Sequence, residues 1–249
     1  MNHARKEVHL KLVYYGPGLG GKTTNLEWIH RHSRPELRGK LVSLATESER
    51  TLFFDLMPVE LGRFRGYQVR LHLCTVPGQI ALDRTRRLVL RHVDGVVFVV
   101  DSQAGREEQN LESMRNLHEN LRRQGDDPER IPLVVQYNKR DLPGALPVEQ
   151  LRRVLGIAPD TPQVEASAVW GKGVFETLKL VTRACLHLLG DPSRAREGRS
   201  PSILPGRRAS SFPEAPPPAA RTRPPVADTK ESPTVPRPGR LPRVEPEGD

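Results

Sequence analysis

Cysteine is nearly absent: the 249 residues hold two, Cys74 and Cys185. Two cysteines build no disulfide framework, and these show no metal-binding spacing. Aromatics are scarce at 5%, with neither an aromatic RNA-binding signature nor a zinc-finger spacing among them. Long apolar runs are missing too. The longest, Gly95-Val96-Val97-Phe98-Val99-Val100, has the length of a buried strand and not the ~18 residues of a membrane-spanning helix. The start, Met1-Asn2-His3-Ala4-Arg5-Lys6, leads into no apolar signal core. Gly is missing at position 2 and Cys at the C-terminus, so neither N-myristoylation nor prenylation is expected. The expectation is a soluble, cytoplasmic chain without a transmembrane segment. The eight His residues are scattered, so no protein-built His/Cys metal site is expected, and no Ser-His-Asp or paired-carboxylate constellation stands out.

Proline and basic charge are present in excess and unevenly placed. The formal net charge is +9, and residues 191–249 hold 14 of the 24 Pro, with only seven Ile, Leu, Val or Phe. Such a segment buries too little apolar surface to offset the entropy of ordering its backbone. The sequence therefore divides into a body, residues 1–190, and a Pro/Arg-rich tail, residues 191–249, expected to be disordered. The PxxP spacings of the tail, Pro213 to Pro216 and Pro233 to Pro236, suit docking as polyproline II, though a flexible polar extension is the plainer reading. The basic residues of the body are interleaved with acids, which speaks for a solvated surface and against a nucleic-acid partner.

Within the body, strand-like and helix-like patterns alternate. Val8 to Tyr15 alternates apolar and polar before a glycine-rich turn, and Thr23 to His32 then reads as a helix that stops before Pro35. Leu41 to Ala45 and Gln68 to Val76 read as strands. Val96 to Val100 and Ile131 to Tyr137 are continuous apolar runs of the kind buried on both faces of a parallel sheet. Leu111, Met114, Leu117 and Leu121 mark an amphipathic helix over Glu107 to Arg123. Val148 to Leu155 is a short helix, Val164 to Ser167 a last strand, and Val174 to Leu189 a closing helix. The predicted fold class is α/β in three layers, with a parallel or mostly parallel sheet covered on both sides.

Gly16-Pro17-Gly18-Leu19-Gly20-Gly21-Lys22-Thr23 matches the phosphate-loop pattern G-x-x-x-x-G-K-[ST] in full, with the required strand before it and helix after it. Glycines let the backbone curl so that N–H groups converge on phosphate oxygens, and the helix adds its positive end. Lys22 supplies a charge to the outer phosphates, the Thr23 hydroxyl stands where Mg²⁺ would be held, and Thr24 beside it is expected among the nucleotide-binding residues. A bound nucleoside triphosphate follows. After the strand ending at Tyr137 comes Asn138-Lys139-Arg140-Asp141, at a strand's carboxyl end, where ligands bind in a doubly wound sheet. A carboxylate there accepts from guanine's N1–H and exocyclic amine, a donor pair that adenine lacks. Four residues alone do not exclude a polar loop closing a strand; their position favours guanine. Ser167-Ala168, at the end of the last predicted strand, stands where a backbone N–H could meet the guanine carbonyl oxygen.

Together these elements resemble the Ras-like small GTPases (P-loop NTPases with a G domain), over residues 8–190. The resemblance sharpens toward the MglA-like branch, the bacterial gliding-motility and cell-polarity GTPases. It is carried by Val13-Tyr14-Tyr15-Gly16-Pro17-Gly18-Leu19, Thr46-Glu47, Arg50-Thr51-Leu52-Phe53-Phe54-Asp55, Thr75-Val76-Pro77-Gly78-Gln79, Asp94-Gly95-Val96-Val97-Phe98-Val99 and Gln136-Tyr137-Asn138-Lys139-Arg140-Asp141. The resemblance implies a switch that binds GTP and GDP with Mg²⁺ and changes conformation around residues 41–55 and 77–90. It implies slow GTP hydrolysis accelerated by an MglB-like roadblock-domain activating protein, effectors of polarity or motility, and recruitment to a cell pole. By residue, it implies that Thr51 senses the γ-phosphate and Mg²⁺, that Gly78 lies against the nucleotide, that Gln79 orients the attacking water, and that Arg50 is supplied in cis to the transition state. One departure from most P-loop GTPases is shared with the MglA branch: Thr75 stands where D-x-x-G has its metal-side Asp, and Asp55 is a candidate to compensate. Gly20 replaces a Cys usual in that branch and still permits the curl.

Two other readings compete with the switch. A nucleotide-bound scaffold that never turns GTP over is favoured by the missing Asp and opposed by Gln79 and Arg50. An adenine-using ATPase is opposed by Asn138 to Asp141.

Overall fold

Glu7–Tyr15 forms the first strand (β1), and its side chains alternate between two environments: Val8, Leu10, Leu12 and Tyr14 enter one core cluster, whereas Val13 and Tyr15 enter a second on the opposite face. The partners of Val13 and Tyr15 exist only toward the carboxyl end of the strand, so Glu7, His9 and Lys11 on that face stay half-buried. The computed structural model describes residues 6–43, 55–77 and 83–189. The chain continues through α1 (Lys22–His32), β2 (Val42–Ser43), β3 (Asp55–Phe64), β4 (Tyr67–Thr75), α2 (Asp83–Leu90), β5 (Gly95–Asp101), α3 (Glu107–Arg123), β6 (Leu133–Asn138), α4 (Val148–Leu155), β7 (Gln163–Glu165) and α5 (Val174–Leu189).

The strands form one seven-stranded sheet in the order β2-β3-β4-β1-β5-β6-β7. β3 runs antiparallel to both β2 and β4, and every other pairing is parallel. β1 lies between β4 and β5, with Val13 opposite Cys74 on one side and Val96 on the other. Connections from β1 and β5 leave in opposite directions, which opens a crevice beyond their carboxyl ends, the place where such sheets bind ligands. One layer of helices, α1 and α5, packs Leu26, Ile29, Val174, Leu178 and Val181 on the first face. The other, α2 to α4, packs Leu90, Met114, Leu117, Leu121 and Leu151 on the second. β5 is buried along its whole length, as its unbroken apolar run requires.

The fold is the Ras-like one expected, with a mixed, mostly parallel sheet between two helical layers. Two elements go beyond the sequence reading. β3 contains Pro58 and a register shift between Glu60 and Gly62, both of which weaken a strand signal. α2 is eight residues long, with three Arg and its apolar residues bunched at Leu88, Val89 and Leu90, so no helical spacing marks it. β6 begins at Leu133 instead of Ile131, after Pro132, and β7 ends at Glu165 instead of Ser167. Among the described residues no helix is long and apolar enough to cross a membrane. The tail, residues 191–249, lies outside the described residues.

Candidate functional site

The turn between β1 and α1 is built from backbone that side chains would obstruct. Gly16 has φ +139, and a Cβ there would lie 2.3 Å from the carbonyl oxygen of Val99; a Cβ on Gly21 would lie 2.2 Å from Asn138 Nδ2. Gly20 N–H closes the turn on Pro17 O at 3.3 Å. Leu19, by contrast, points into solvent. α1 carries no acidic residue in its first turn, so the helix itself supplies no anion to the positive end of its dipole. The cradle therefore fits a phosphate chain: glycine-dependent backbone, a helix N-terminus and a buried lysine.

That lysine, Lys22, donates from Nζ to the carbonyl oxygens of Gly16 at 2.9 Å and Pro17 at 2.7 Å. Burial, and then the positive charge of Arg86, push its ammonium down to about 7. The negative charge of a phosphate would offset both effects. Thr23 is exposed and Thr24 half-buried in the first turn of α1. Of the expected metal ligands only Thr23 is described, and the described residues contain no group of three or more His, Cys, Asp or Glu suited to a metal. Thr75 ends β4 and is buried. Asp55 opens β3, but its side chain lies outside the described residues, as do Arg50, Thr51, Gly78 and Gln79.

The carboxyl end of β6 brings the second motif to the first. Asn138 Nδ2 donates to Gly20 O at 2.8 Å, and its Oδ1 accepts from the Ala168 N–H at 2.9 Å. Lys139 adopts φ +66 and donates to Asp101 Oδ2 at 2.8 Å and Gln103 Oε1 at 2.7 Å. Asp141 is exposed. Ser167 is buried, with a hydroxyl that meets no partner among the described residues. Its N–H is taken by Lys172 O at 3.0 Å. An Ala168 N–H engaged by Asn138 must be shared or released to meet a base carbonyl, a cost the sequence does not show.

Several residues that shape this region carry no motif. Asp101, fully buried at the end of β5, and Arg106, whose Nη2 donates to Gly18 O at 2.8 Å, join the base side to the phosphate loop. The available signal was a carboxylate directly after five apolar residues. Arg86, buried on α2, donates to Pro77 O at 2.9 Å and Asn116 Oδ1 at 2.8 Å. Asn116 also accepts from Tyr15, and both Asn116 and Asn120 donate to Asp83. An arginine at a helical core position showed only as one more surface charge.

Comparison with known proteins places these features. The profile of the ADP-ribosylation factor family matches residues 2–185. Mutual gliding-motility protein MglA of Myxococcus xanthus is 53% identical over 186 residues, covering 75% of this chain and 95% of that protein. Human ADP-ribosylation factor-like protein 4D is 31% identical over 175 residues, covering 68% of this chain and 80% of its own length. Among solved structures, the Arl6 (BBS3) small GTPase of Trypanosoma brucei, with the nucleotide analogue GppNp bound, superposes with a TM-score of 0.54. At 22% identity over 72% of this chain and 99% of that one, it supports the fold alone.

Proposed function

Because the chain belongs to the ADP-ribosylation factor family, as a small GTPase of the MglA type and hence a GTP-hydrolysing switch, we propose that it cycles between GTP and GDP under an MglB-like roadblock-domain activating protein. Its output is the recruitment of polarity or gliding-motility effectors in the cytoplasm, at a cell pole. Residues 1–190 form the GTPase domain, and the tail at 191–249 is an appendage to it. The observation that carries the reading is the Asn138 bridge: one side chain joins Gly20 of the phosphate loop to Ala168 of the base side. Such a bridge makes one site of two motifs.

In that site Gly16, Pro17, Gly18, Leu19, Gly20 and Gly21 present the backbone to the phosphates, and Lys22 places its ammonium against the β- and γ-oxygens. Thr24 supports the same helix turn. Asn138, Lys139 and Asp141, with the Ser167-Ala168 pair, take the guanine, Asp141 by accepting from N1–H and the exocyclic amine. The hydroxyls of Thr23 and Thr51 would hold a Mg²⁺ ion, which when bound would supply charge neutralisation to the phosphates. Gly78 lies against the γ-phosphate and Gln79 orients water for in-line attack. Arg50 stabilises the charge that develops, a contribution worth about 10³–10⁵ in rate. The buried Thr75 carries no charge toward the metal, which favours a second reading, a GTP-bound scaffold without turnover.

Nucleotide competition followed by single-turnover hydrolysis separates these. GTP and GDP, but not ATP, are expected to displace a fluorescent guanine nucleotide. A roadblock-domain partner is expected to accelerate hydrolysis, and Arg50→Ala or Gln79→Leu to abolish that acceleration. Tight GTP binding without hydrolysis under any condition would establish the scaffold instead.

A further inference from the structure

The carbonyls of Gly16, Pro17, Gly18 and Gly20 in the phosphate loop are each held by a side chain. Lys22 takes those of Gly16 and Pro17, Asn138 takes that of Gly20, and Arg106 takes that of Gly18. A trans peptide sets its C=O and N–H on opposite sides. A grip on Gly18 O therefore fixes the direction of the Leu19 N–H, as the Asn138 grip on Gly20 O fixes that of the Gly21 N–H. Three of these holds come from motif residues. Arg106 belongs to none.

Arg106 does not act alone. Its Nε lies 3.4 Å from Asp101 Oδ2, the same oxygen that accepts from Lys139 Nζ at 2.8 Å. The other oxygen, Oδ1, accepts from the Gln103 N–H at 3.2 Å. The Asp101 backbone is fixed in turn by Asn110, whose side chain meets its N–H and its carbonyl at 2.9 and 2.8 Å. A fully buried carboxylate needs its cations, and removing either partner leaves the other facing an under-compensated charge. Arg106, with its planar fork, reaches the carboxylate by one nitrogen and the loop carbonyl by another, which the single ammonium of a lysine cannot do.

We propose that Asp101 and Arg106 are positioning residues that clamp the phosphate loop to the base element through Lys139, so that nucleotide retention depends on the three side chains as one unit. The inference rests on the guanine reading of Asn138 to Asp141. It assigns to a strand end and a helix entry a task that no motif records.

The test is displacement of a fluorescent GDP analogue by excess GDP, followed as a dissociation rate on the full chain. Arg106→Ala is expected to speed dissociation about tenfold, the worth of one charge-assisted hydrogen bond, and Asp101→Asn at least as much. The double variant is expected to be no faster than the faster single, because both changes break the same clamp. Arg106→Lys, which keeps the charge and loses the fork, is expected to release nucleotide as fast as Arg106→Ala, while its thermal unfolding without nucleotide moves little. If Asp101→Asn fails to fold, Arg106→Ala and Lys139→Ala supply the same cycle. Multiplying effects, or Arg106→Ala releasing nucleotide at the wild-type rate, would overturn the clamp and leave the function intact. A wild-type chain that retains no GDP would overturn the functional reading first, and the clamp with it.

Discussion

The two halves of the sheet are made differently. From β1 through β5 and β6 to β7 all pairings are parallel, and β5 is buried end to end. From β4 outward the pairings turn antiparallel, β3 carries a register shift, and β2 is two residues long. The phosphate loop and the base element both spring from the first half. Thr75 ends β4 and, with Pro77 after it, belongs to the second. A rigid parallel half suits a nucleotide held constantly by its base and inner phosphates. The outermost strand, the two-residue β2, is the weakly held part of the sheet, and a short edge of that kind suits the reporting of one phosphate more or less.

The largest effect is expected in the parallel half. Gly16→Val places side-chain atoms against the Val99 carbonyl, which a Cβ alone would approach to 2.3 Å, in backbone already strained for any other residue. Guanine-nucleotide affinity should fall on the order of 10²-fold or more, as isothermal calorimetry would read. Next is the fastening between the halves. Arg86→Ala removes a buried guanidinium from Pro77 O and Asn116, at a cost of about 2–3 kcal/mol in urea unfolding. An unchanged midpoint would mean that α2 does not depend on this bond.

Proton linkage gives a smaller signature. Lys22 without nucleotide is pushed down to about 7 by burial and Arg86, whereas the unfolded chain keeps the ordinary lysine value. Between those values the unfolded state binds more protons, so this group's contribution to the stability of the free protein rises as pH climbs through that window. Phosphate restores the ammonium, so binding at pH 8 should take up close to one proton, and affinity should weaken as pH rises further. Calorimetry in two buffers of different ionisation heat would show it; equal heats would refute it. The smallest effect belongs to the antiparallel edge. Arg70 bridges Glu7 and Glu60 at 3.3 and 3.2 Å with its side chain 42% exposed, and Arg70→Ala should cost less than about 1 kcal/mol in thermal unfolding.

The same division governs what could be read from sequence. β1, β5, α3 and α5 were legible because their burial is periodic or continuous, and the Gly16 to Thr23 and Asn138 to Asp141 motifs stood out by their spacing, which gave no sign of the Asn138 contacts that join them. β3 was not, since Pro58 and the shift at Glu60/Gly62 break the alternation that marks a strand. Arg86, Asp101 and Arg106 were not, because their partners lie on other elements and arise only when the sheet assembles. Arg50, Thr51, Gly78 and Gln79 were assigned by resemblance, and their roles stay proposals that rest on it.

The account stands on the claim that the parallel half holds the nucleotide while the antiparallel edge and α2 report the γ-phosphate. Hydrogen exchange on the chain loaded with GDP and then with a non-hydrolysable GTP analogue tests it directly. Differences are expected to concentrate in residues 41–64 and 77–90, with β1, β5 and β6 equally protected in both states. Equal exchange throughout, or differences centred on β5, β6 and the base element, would contradict it.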